Sequence, residues 1–278
     1  MLYNPTPDSL FAPKAAVDPV GFSKVAIVTG CASGIGLAVT QLLLAHQFEV
    51  CGLDIAEFDY NLVRVADHGR FHFSRLDLTG PGACEEAIRI CVAAFGPRID
   101  ALVNVAGLMD NFSSADGVTD DVWDRVMAVN LTVPVKMMRG VVPYMQAKHD
   151  GVIINVASTA ATSGAVAGIA YTSSKHGLLG ATKNVAWRFR NDGIRCNAVL
   201  PGAIDSSIGQ AIAKGPEPLD TAAFAEVEPV HALQPKASET TPTITPLEVA
   251  KTIIFLISDQ ARTINGVSLP VDKGWGVI

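Results

Sequence analysis

The sequence predicts an α/β fold, a doubly wound parallel β-sheet of about seven strands with helices on both faces. Three observations carry this. Short, continuously apolar runs alternate with longer helical patterns from Lys24 onward, as βαβ units require. The runs are apolar at successive positions rather than at every second one, which marks strands buried on both faces. The 278 residues show no internal repeat and no Ser/Gly linker, so the alternation belongs to one domain.

Residues 1–22 hold four prolines without steady periodicity and read as an N-terminal arm, leaving 23–278 as the domain. Val25-Ala26-Ile27-Val28 is the first strand, and a Gly-rich turn leads from it into a helix over Leu37 to Leu44. Further strands are expected over Phe48 to Leu53, Phe71 to Leu76, Ala101 to Val105, Val152 to Ala157, Ile194 to Leu200 and Val267 to Val271. Helices are expected over Gly82 to Phe95, Asp120 to Lys148, Gly168 to Asn191 and Pro246 to Ser258. Between Ala203 and Thr245 the prolines at 216, 218, 229, 235 and 242 leave little regular periodicity. A connection this long inside a compact domain is usually functional, and it reads as a substrate-binding lid.

Composition removes several classes. Lys and Arg total 21 against 27 Asp and Glu, a net charge of −6, and no basic run occurs. A nucleic-acid surface needs a clustered positive field, so none is expected. The longest uncharged stretch, between Asp150 and Lys175, carries Asn155, Ser158, Thr159, Thr162, Ser163, Thr172, Ser173 and Ser174 and is too polar to span a membrane. No secretory signal opens the chain, and the expectation is a cytoplasmic protein. The five cysteines, Cys31, Cys51, Cys84, Cys91 and Cys196, show no C-x-x-C and no histidine at ligand spacing. They read as reduced apolar residues, and no metal site is expected.

Thr29-Gly30-Cys31-Ala32-Ser33-Gly34-Ile35-Gly36 lies between a strand and a helix. Glycines there let the backbone approach a pyrophosphate at a helix N-terminus. The spacing is G-x-x-x-G-x-G, and a plain structural turn is the competing reading. Asp54, 18 residues past Gly36 at the end of the second strand, favours a dinucleotide, because an acid there can bind the adenosine ribose hydroxyls. Ser33 is uncharged and no Arg or Lys follows Asp54 closely, so a 2′-phosphate would meet a carboxylate and no cation. At about 4 Å and an effective dielectric near 20, that repulsion is about 4 kcal/mol per charge pair. NAD is therefore expected rather than NADP.

Tyr171-Thr172-Ser173-Ser174-Lys175 places a phenol and an ammonium one helical turn apart, and Ser158 ends the preceding strand. A nearby ammonium favours phenolate, and a three-unit fall in a tyrosine pKa requires about 4 kcal/mol. Taken alone, such a pair on a solvated helix face is ordinary.

Together, Thr29-Gly30-x-x-x-Gly34-x-Gly36, Asn104-Val105-Ala106-Gly107, Asn130, Ser158, Tyr171-x-x-x-Lys175 and Pro201-Gly202 resemble the classical short-chain dehydrogenase/reductase family in order and approximate spacing, from about Ser23 to Trp275. The resemblance implies a Rossmann-type sheet and an NAD(P)-dependent oxidoreductase acting on CH–OH groups. It implies Tyr171 as general acid/base, Lys175 as the group that lowers its pKa and binds the nicotinamide ribose, and Ser158 as the residue orienting the substrate oxygen. Asn130 helps hold a relay water. Gly30, Ser33, Gly34, Ile35 and Gly36 face the pyrophosphate, Asp54 the ribose, and Asp77 with Leu78 the adenine. Asn104, Ala106 and Gly107 line the cofactor trough, while Pro201, Gly202, Ile204 and Ser206 pass the nicotinamide.

Departures are mild: Val105 stands where the family usually has Asn, Ser206 where it often has Thr, and Asp205 is less usual. The six histidines are scattered and carry no expected role. The lid is rich in Ala, Val, Leu and Pro, which points to a largely apolar small-molecule substrate, a cyclic secondary alcohol or ketone of terpenoid, steroid or polyketide type in secondary metabolism. Competing readings are an NADPH-dependent ketoreductase, a non-catalytic dinucleotide sensor, and a methyltransferase, which leaves Tyr171 and Lys175 unexplained. The resemblance also implies a homotetramer or dimer. Its expected interface is the two long helices, whose Val133, Val135, Met137, Met138, Leu178, Leu179, Val185 and Trp187 occupy more than one face.

Overall fold

The computed structural model describes residues 20–277 apart from 22, 205–216 and 235–243. Seven strands form one parallel sheet in the order β3-β2-β1-β4-β5-β6-β7. They are β1 (Val25–Thr29), β2 (Glu49–Asp54), β3 (Phe71–Arg75), β4 (Ala101–Asn104), β5 (Gly151–Val156), β6 (Ile194–Pro201) and β7 (Ser268–Val271). Each expected strand is present, displaced by one or two residues at most. The helices are α1 (Gly34–Ala45), α2 (Ala83–Phe95), α3 (Asp120–Met127), α4 (Val133–Lys148), α5 (Ile169–Arg188), α6 (Thr221–His231) and α7 (Pro246–Ile257).

The continuous apolar runs have the predicted cause. Every residue of β1 is buried, and alternate side chains serve opposite faces. Ala26 and Val28 join a core with Val39 and Leu43 of α1 and Val249 and Ile253 of α7. Val25 and Ile27 join another with Ala87 and Ile88 of α2 and Met137 and Val141 of α4. Strand order reverses between β1 and β4, and in such sheets ligands bind at the carboxyl ends of the strands beside that reversal. Among the described residues no helix is long and apolar enough to cross a membrane. All five cysteines are free and buried.

Three expectations change. The single helix over Asp120 to Lys148 is α3 and α4 joined by a π-helical turn, Ala128–Thr132. Such a turn absorbs one extra residue where a side chain has other work, and here Asn130 bonds the backbone of Leu108. The lid is not wholly irregular, because α6 runs through it and Asp220 caps it by accepting from Ala223 N at 3.0 Å. The third change concerns the two long helices. Val133, Met137, Met138, Leu178 and Leu179 fill the monomer core, while Val135 and Trp187 are exposed. Most of the apolar residues behind the interface argument are thus already used within one subunit.

Candidate active site

The Gly-rich turn is built for close backbone approach. Gly30 and Gly34 have φ of +70° and +52°, a region that favours glycine. A Cβ on Gly36 would run into the carbonyl of Gly30, and one on Gly30 would stand 2.9 Å from the backbone of Ala106. Gly30 N and Cys31 N donate to Leu53 O at 2.8 and 3.3 Å, fixing the turn to the end of β2. Ser33 is the exposed N-cap of α1, with Ile35 and Gly36 in its first turn, and that turn holds no acidic side chain. The helix's N-terminal amides and partial positive charge therefore face the mouth of the turn.

Asp54 meets this turn directly. Its Oδ2 accepts from Ala32 N at 2.9 Å and its Oδ1 from Ala56 N at 3.0 Å. Arg75 lies opposite Asp54 in the β2–β3 register. Counting neighbours along the sequence missed this cation. It is engaged elsewhere, with Nε donating to Ile55 O at 2.8 Å and Nη1 to Glu57 Oε1 at 2.7 Å. Asp77 is exposed beyond β3 and bonds Thr79 through both its amide and its hydroxyl, which lowers its pKa, while Leu78 is buried beside it.

The floor is polar and braced from behind. Thr29 Oγ1 accepts from Val105 N and Ala106 N at 3.0 and 3.1 Å, tying the turn to the end of β4. Asn104 donates from Nδ2 to Asn155 Oδ1 at 2.8 Å, and Asn155 donates in turn to Thr182 Oγ1 at 2.9 Å. Asn104 Oδ1 is buried without a partner, an acceptor aimed for use since such atoms are otherwise costly. Gly107 leaves room for its surroundings, since a Cβ there would lie 3.2 Å from Asn130 Oδ1 and 3.5 Å from Lys175 Nζ. Pro201 is buried at the end of β6, Gly202 N donates to Val271 O at 3.1 Å, and Ile204 forms a lone bridge with Ile244. Ser206 and Asp205 lie outside the described residues. Crowded glycines, a helix end with no acidic side chain in its first turn, Asp54 and an orphaned amide oxygen together suit a dinucleotide.

Tyr171 and Lys175, one turn apart on α5, are 6% and 4% exposed. Lys175 Nζ lies 5.4 Å from the Tyr171 ring centroid and donates to Val156 O at 3.0 Å. Ser158, just beyond β5, is near enough to the Tyr171 phenol to favour its ionised form, and its Oγ accepts from Ala160 N at 3.1 Å. The phenol, ammonium and strand-end hydroxyl thus converge. Asn130 is fully buried; its Oδ1 accepts from Leu108 N at 2.9 Å, and its Nδ2 donates to Leu108 O at 2.9 Å and Ser174 Oγ at 3.1 Å.

Electrostatics run against the simple expectation that Lys175 lowers Tyr171. Burial raises the phenol to about 12; Ser158 acts to lower it and the negative charge of Asp110 to raise it. Burial also lowers the Lys175 ammonium to about 8. In the protein alone, desolvation of both charged forms dominates.

Asp110 was not singled out in the sequence. Its Oδ1 accepts from Gly168 N at 3.0 Å and Phe112 N at 3.2 Å, and its Oδ2 from Tyr171 N at 2.8 Å. Its only sequence signal is a lone acid in the apolar stretch after Gly107. Helix α6 packs beside the cluster that holds Tyr171. Phe112 meets Phe224 edge-on at 4.9 Å, His231 packs on Trp275 at 5.6 Å, and Trp275 Nε1 donates to Val230 O at 3.0 Å. Beside them a cavity of about 560 Å³ is lined by Phe112, Ala167, Ile169, Thr172 and Val227, with the carboxylates of Asp116, Asp220 and Glu226.

Comparison with known proteins agrees with this construction. The family model described as short chain dehydrogenase matches residues 24–217. The short-chain dehydrogenase/reductase cdmF of Talaromyces verruculosus is 46% identical over 254 residues, 91% of this chain and 97% of its own. The asnovolin H dehydrogenase nvfC of Aspergillus novofumigatus is 44% identical over 256 residues, with the same two coverages. The crystal structure of a 3-ketoacyl-(acyl-carrier-protein) reductase from Brucella melitensis complexed with NADH shares the fold, with a TM-score of 0.77 at 24% identity over 92% of this chain and 99% of that one. The chain belongs to the short-chain dehydrogenase/reductase family, as an NAD(P)-dependent oxidoreductase acting on CH–OH groups.

Proposed function

We propose that the protein interconverts a secondary alcohol and a ketone on a largely apolar, cyclic small molecule of secondary metabolism, with NAD as cofactor. The observation that carries the reading is the convergence of Ser158 with the buried side chains of Tyr171 and Lys175. When bound, the nicotinamide dinucleotide supplies the hydride acceptor or donor. Tyr171 holds the proton at its phenolic oxygen, taking it from the hydroxyl in oxidation and returning it in reduction. Ser158 orients the substrate oxygen. Lys175, whose ammonium burial brings down to about 8, stays mostly charged at neutral pH and would bind the nicotinamide ribose. Asn130 spends its amide on Leu108 and Ser174, so its part in the relay is to fix the wall beside Lys175.

The NAD preference is supported by Asp54, whose carboxylate is held against the Gly-rich turn and would meet the adenosine ribose, and by the engagement of Arg75 with Glu57. A neutral substrate is supported by the cavity beside Thr172, whose three carboxylates disfavour an acid. The fungal relative described as a dehydrogenase of asnovolin H also supports a small-molecule alcohol or ketone. As in the family, a homotetramer or dimer is proposed, with the exposed Val135 and Trp187 on its interface; a monomeric mass by light scattering at micromolar concentration overturns it.

The test is a panel of hydrophobic cyclic alcohols and ketones with NAD(H) and NADP(H), run on the wild type and Tyr171→Phe. Turnover with NAD that Tyr171→Phe abolishes supports the reading. Activity confined to sugar or acidic alcohols rejects the substrate class, and activity retained by Tyr171→Phe rejects the mechanism.

A further inference from the structure

We propose that Asp110 is a positioning residue for Tyr171, clamping the first turn of the tyrosine's helix and setting the electrostatic field in which the phenol ionises. The proposal rests on Tyr171 being the acid/base group. Asp110 is 3% exposed and among the described residues has no basic partner: it accepts from Gly168 N, Phe112 N and Tyr171 N and from no Lys or Arg. A buried carboxylate without a cation is costly, and burial does raise its pKa despite these amides. A neutral cap such as Ser or Asn also satisfies a helix N-terminus, so capping by itself does not require a charge at this depth.

The geometry is tight. A Cβ on Gly168 would lie 2.5 Å from Asp110 Oδ2, so the glycine admits the carboxylate to the helix end. The same loop binds the lid: Asp220 N donates to Asn111 O at 3.0 Å, Ser113 Oγ donates to Asp220 Oδ2 at 3.1 Å, and Ile169 N donates to Ser113 O at 3.0 Å. Phe112, at a φ of +72°, turns its ring against Phe224. Residues 110–113 therefore hold α5 by one set of bonds and α6 by another, so the position of the lid is tied to the backbone of Tyr171.

Few other groups bear on the phenol. Lys175 faces the ring from α5 and Ser158 from the turn after β5, while α3 contributes Val122 and Val126 and the C-terminal turn contributes Trp275. His231 stands behind Trp275. Asp110 is thus the one carboxylate among the described residues that raises the phenol's pKa.

Asp110→Asn removes the charge and cannot accept from all three amides. The measurement is phenolate absorbance against pH, as wild type minus Tyr171→Phe, and Asp110→Asn minus Asp110→Asn/Tyr171→Phe. Subtraction removes the other three tyrosines. The expected result is an onset of Tyr171 ionisation lower by about one unit in the Asn background, with kcat at least about tenfold lower wherever turnover is measurable. A loss of thermal stability with an unmoved onset makes Asp110 merely structural and overturns the proposal. Should Asp110→Asn not fold, Gly168→Ala decides. Its methyl displaces the carboxylate without altering charge and is expected to move the onset the same way, and an unmoved onset there also overturns the claim. The titration needs no substrate, so its failure is distinct from failure of the acid/base reading, which shows as turnover surviving Tyr171→Phe.

Discussion

Lys175 Nζ donates to the carbonyl of Val156, 3.0 Å away at the end of β5, and among the described residues this is the one hydrogen bond that holds a nearly fully buried ammonium. Burial brings its pKa from 10.5 down to about 8 in the folded protein. Below pH 8 the group is charged in both folded and unfolded states, and the shift costs the fold about 3 kcal/mol. Above 10.5 it is neutral in both and the cost is gone, so its contribution to stability improves as pH rises through that window. Lys175→Met removes the cost and loses a hydrogen bond worth about 1 kcal/mol. The variant is expected to be about 2 kcal/mol more stable than wild type at pH 7 by urea denaturation, to lose that advantage toward pH 10, and to be inactive. A variant less stable at pH 7 refutes this account of the site.

Asp54 accepts from Ala32 N and Ala56 N, so its charge stands against the Gly-rich turn with both oxygens held. Asp54→Asn removes the repulsion toward a 2′-phosphate and one of the two acceptors. With solvent at the rim discounting the ideal Coulomb figure, kcat/KM for NADP relative to NAD is expected to rise about 100-fold, while NAD itself binds less tightly. Steady-state kinetics with both cofactors measure this, and an unchanged ratio removes Asp54 as the discriminator.

The difference between what the sequence discloses and what it hides follows the range of the interaction. β1 is legible because its five residues are buried on both faces, and Tyr171 and Lys175 because helical spacing alone places them one turn apart. Asp110 is illegible because its partners are backbone amides 58 and 61 positions away, and amides carry no residue identity. Arg75 is hidden for a similar reason, since only strand register brings it opposite Asp54. The turn at Asn130 departs from a plain helix through bonds to Leu108, 22 residues earlier. Helix α6 is masked by Pro216 and Pro218 before it and Pro229 within it, although Ala222, Ala223 and Ala225 are strong helix formers.

Two glycines give a paired test of the cradle. Gly36→Ala drives a methyl into the carbonyl of Gly30, whose own amide is tied to Leu53 O at 2.8 Å, so neither side can retreat cheaply. The expected outcome is a loss of about 2 kcal/mol or more and at least about tenfold weaker NAD binding by calorimetry. Gly69→Ala meets nothing within 4 Å and is expected to change stability by less than about 0.5 kcal/mol. Equal behaviour of the two variants would contradict the close-approach argument.

Trp275 anchors α6, within the segment proposed as a substrate lid, to the body of the protein. Its ring is 7% exposed in the cluster that contains Tyr171, Val122 and Ala167, and its indole N–H reaches Val230 O at the end of α6. Asp272 shapes the turn that presents it, accepting from Gly274 N at 2.9 Å and Gly276 N at 2.8 Å. Trp275→Ala empties this contact, with an expected loss of about 3–5 kcal/mol locally. Because the lost contact lies on the lid and not in the Gly-rich cradle, NAD affinity should stay within about twofold of wild type while KM for the alcohol rises about tenfold. Trp275→Phe keeps the ring and gives up only the hydrogen bond, worth about 1 kcal/mol, so it should fall between the two. Hydrogen exchange over 221–231 reports the same change without a substrate, and unaltered protection there in Trp275→Ala would mean that something other than this indole holds α6 in place.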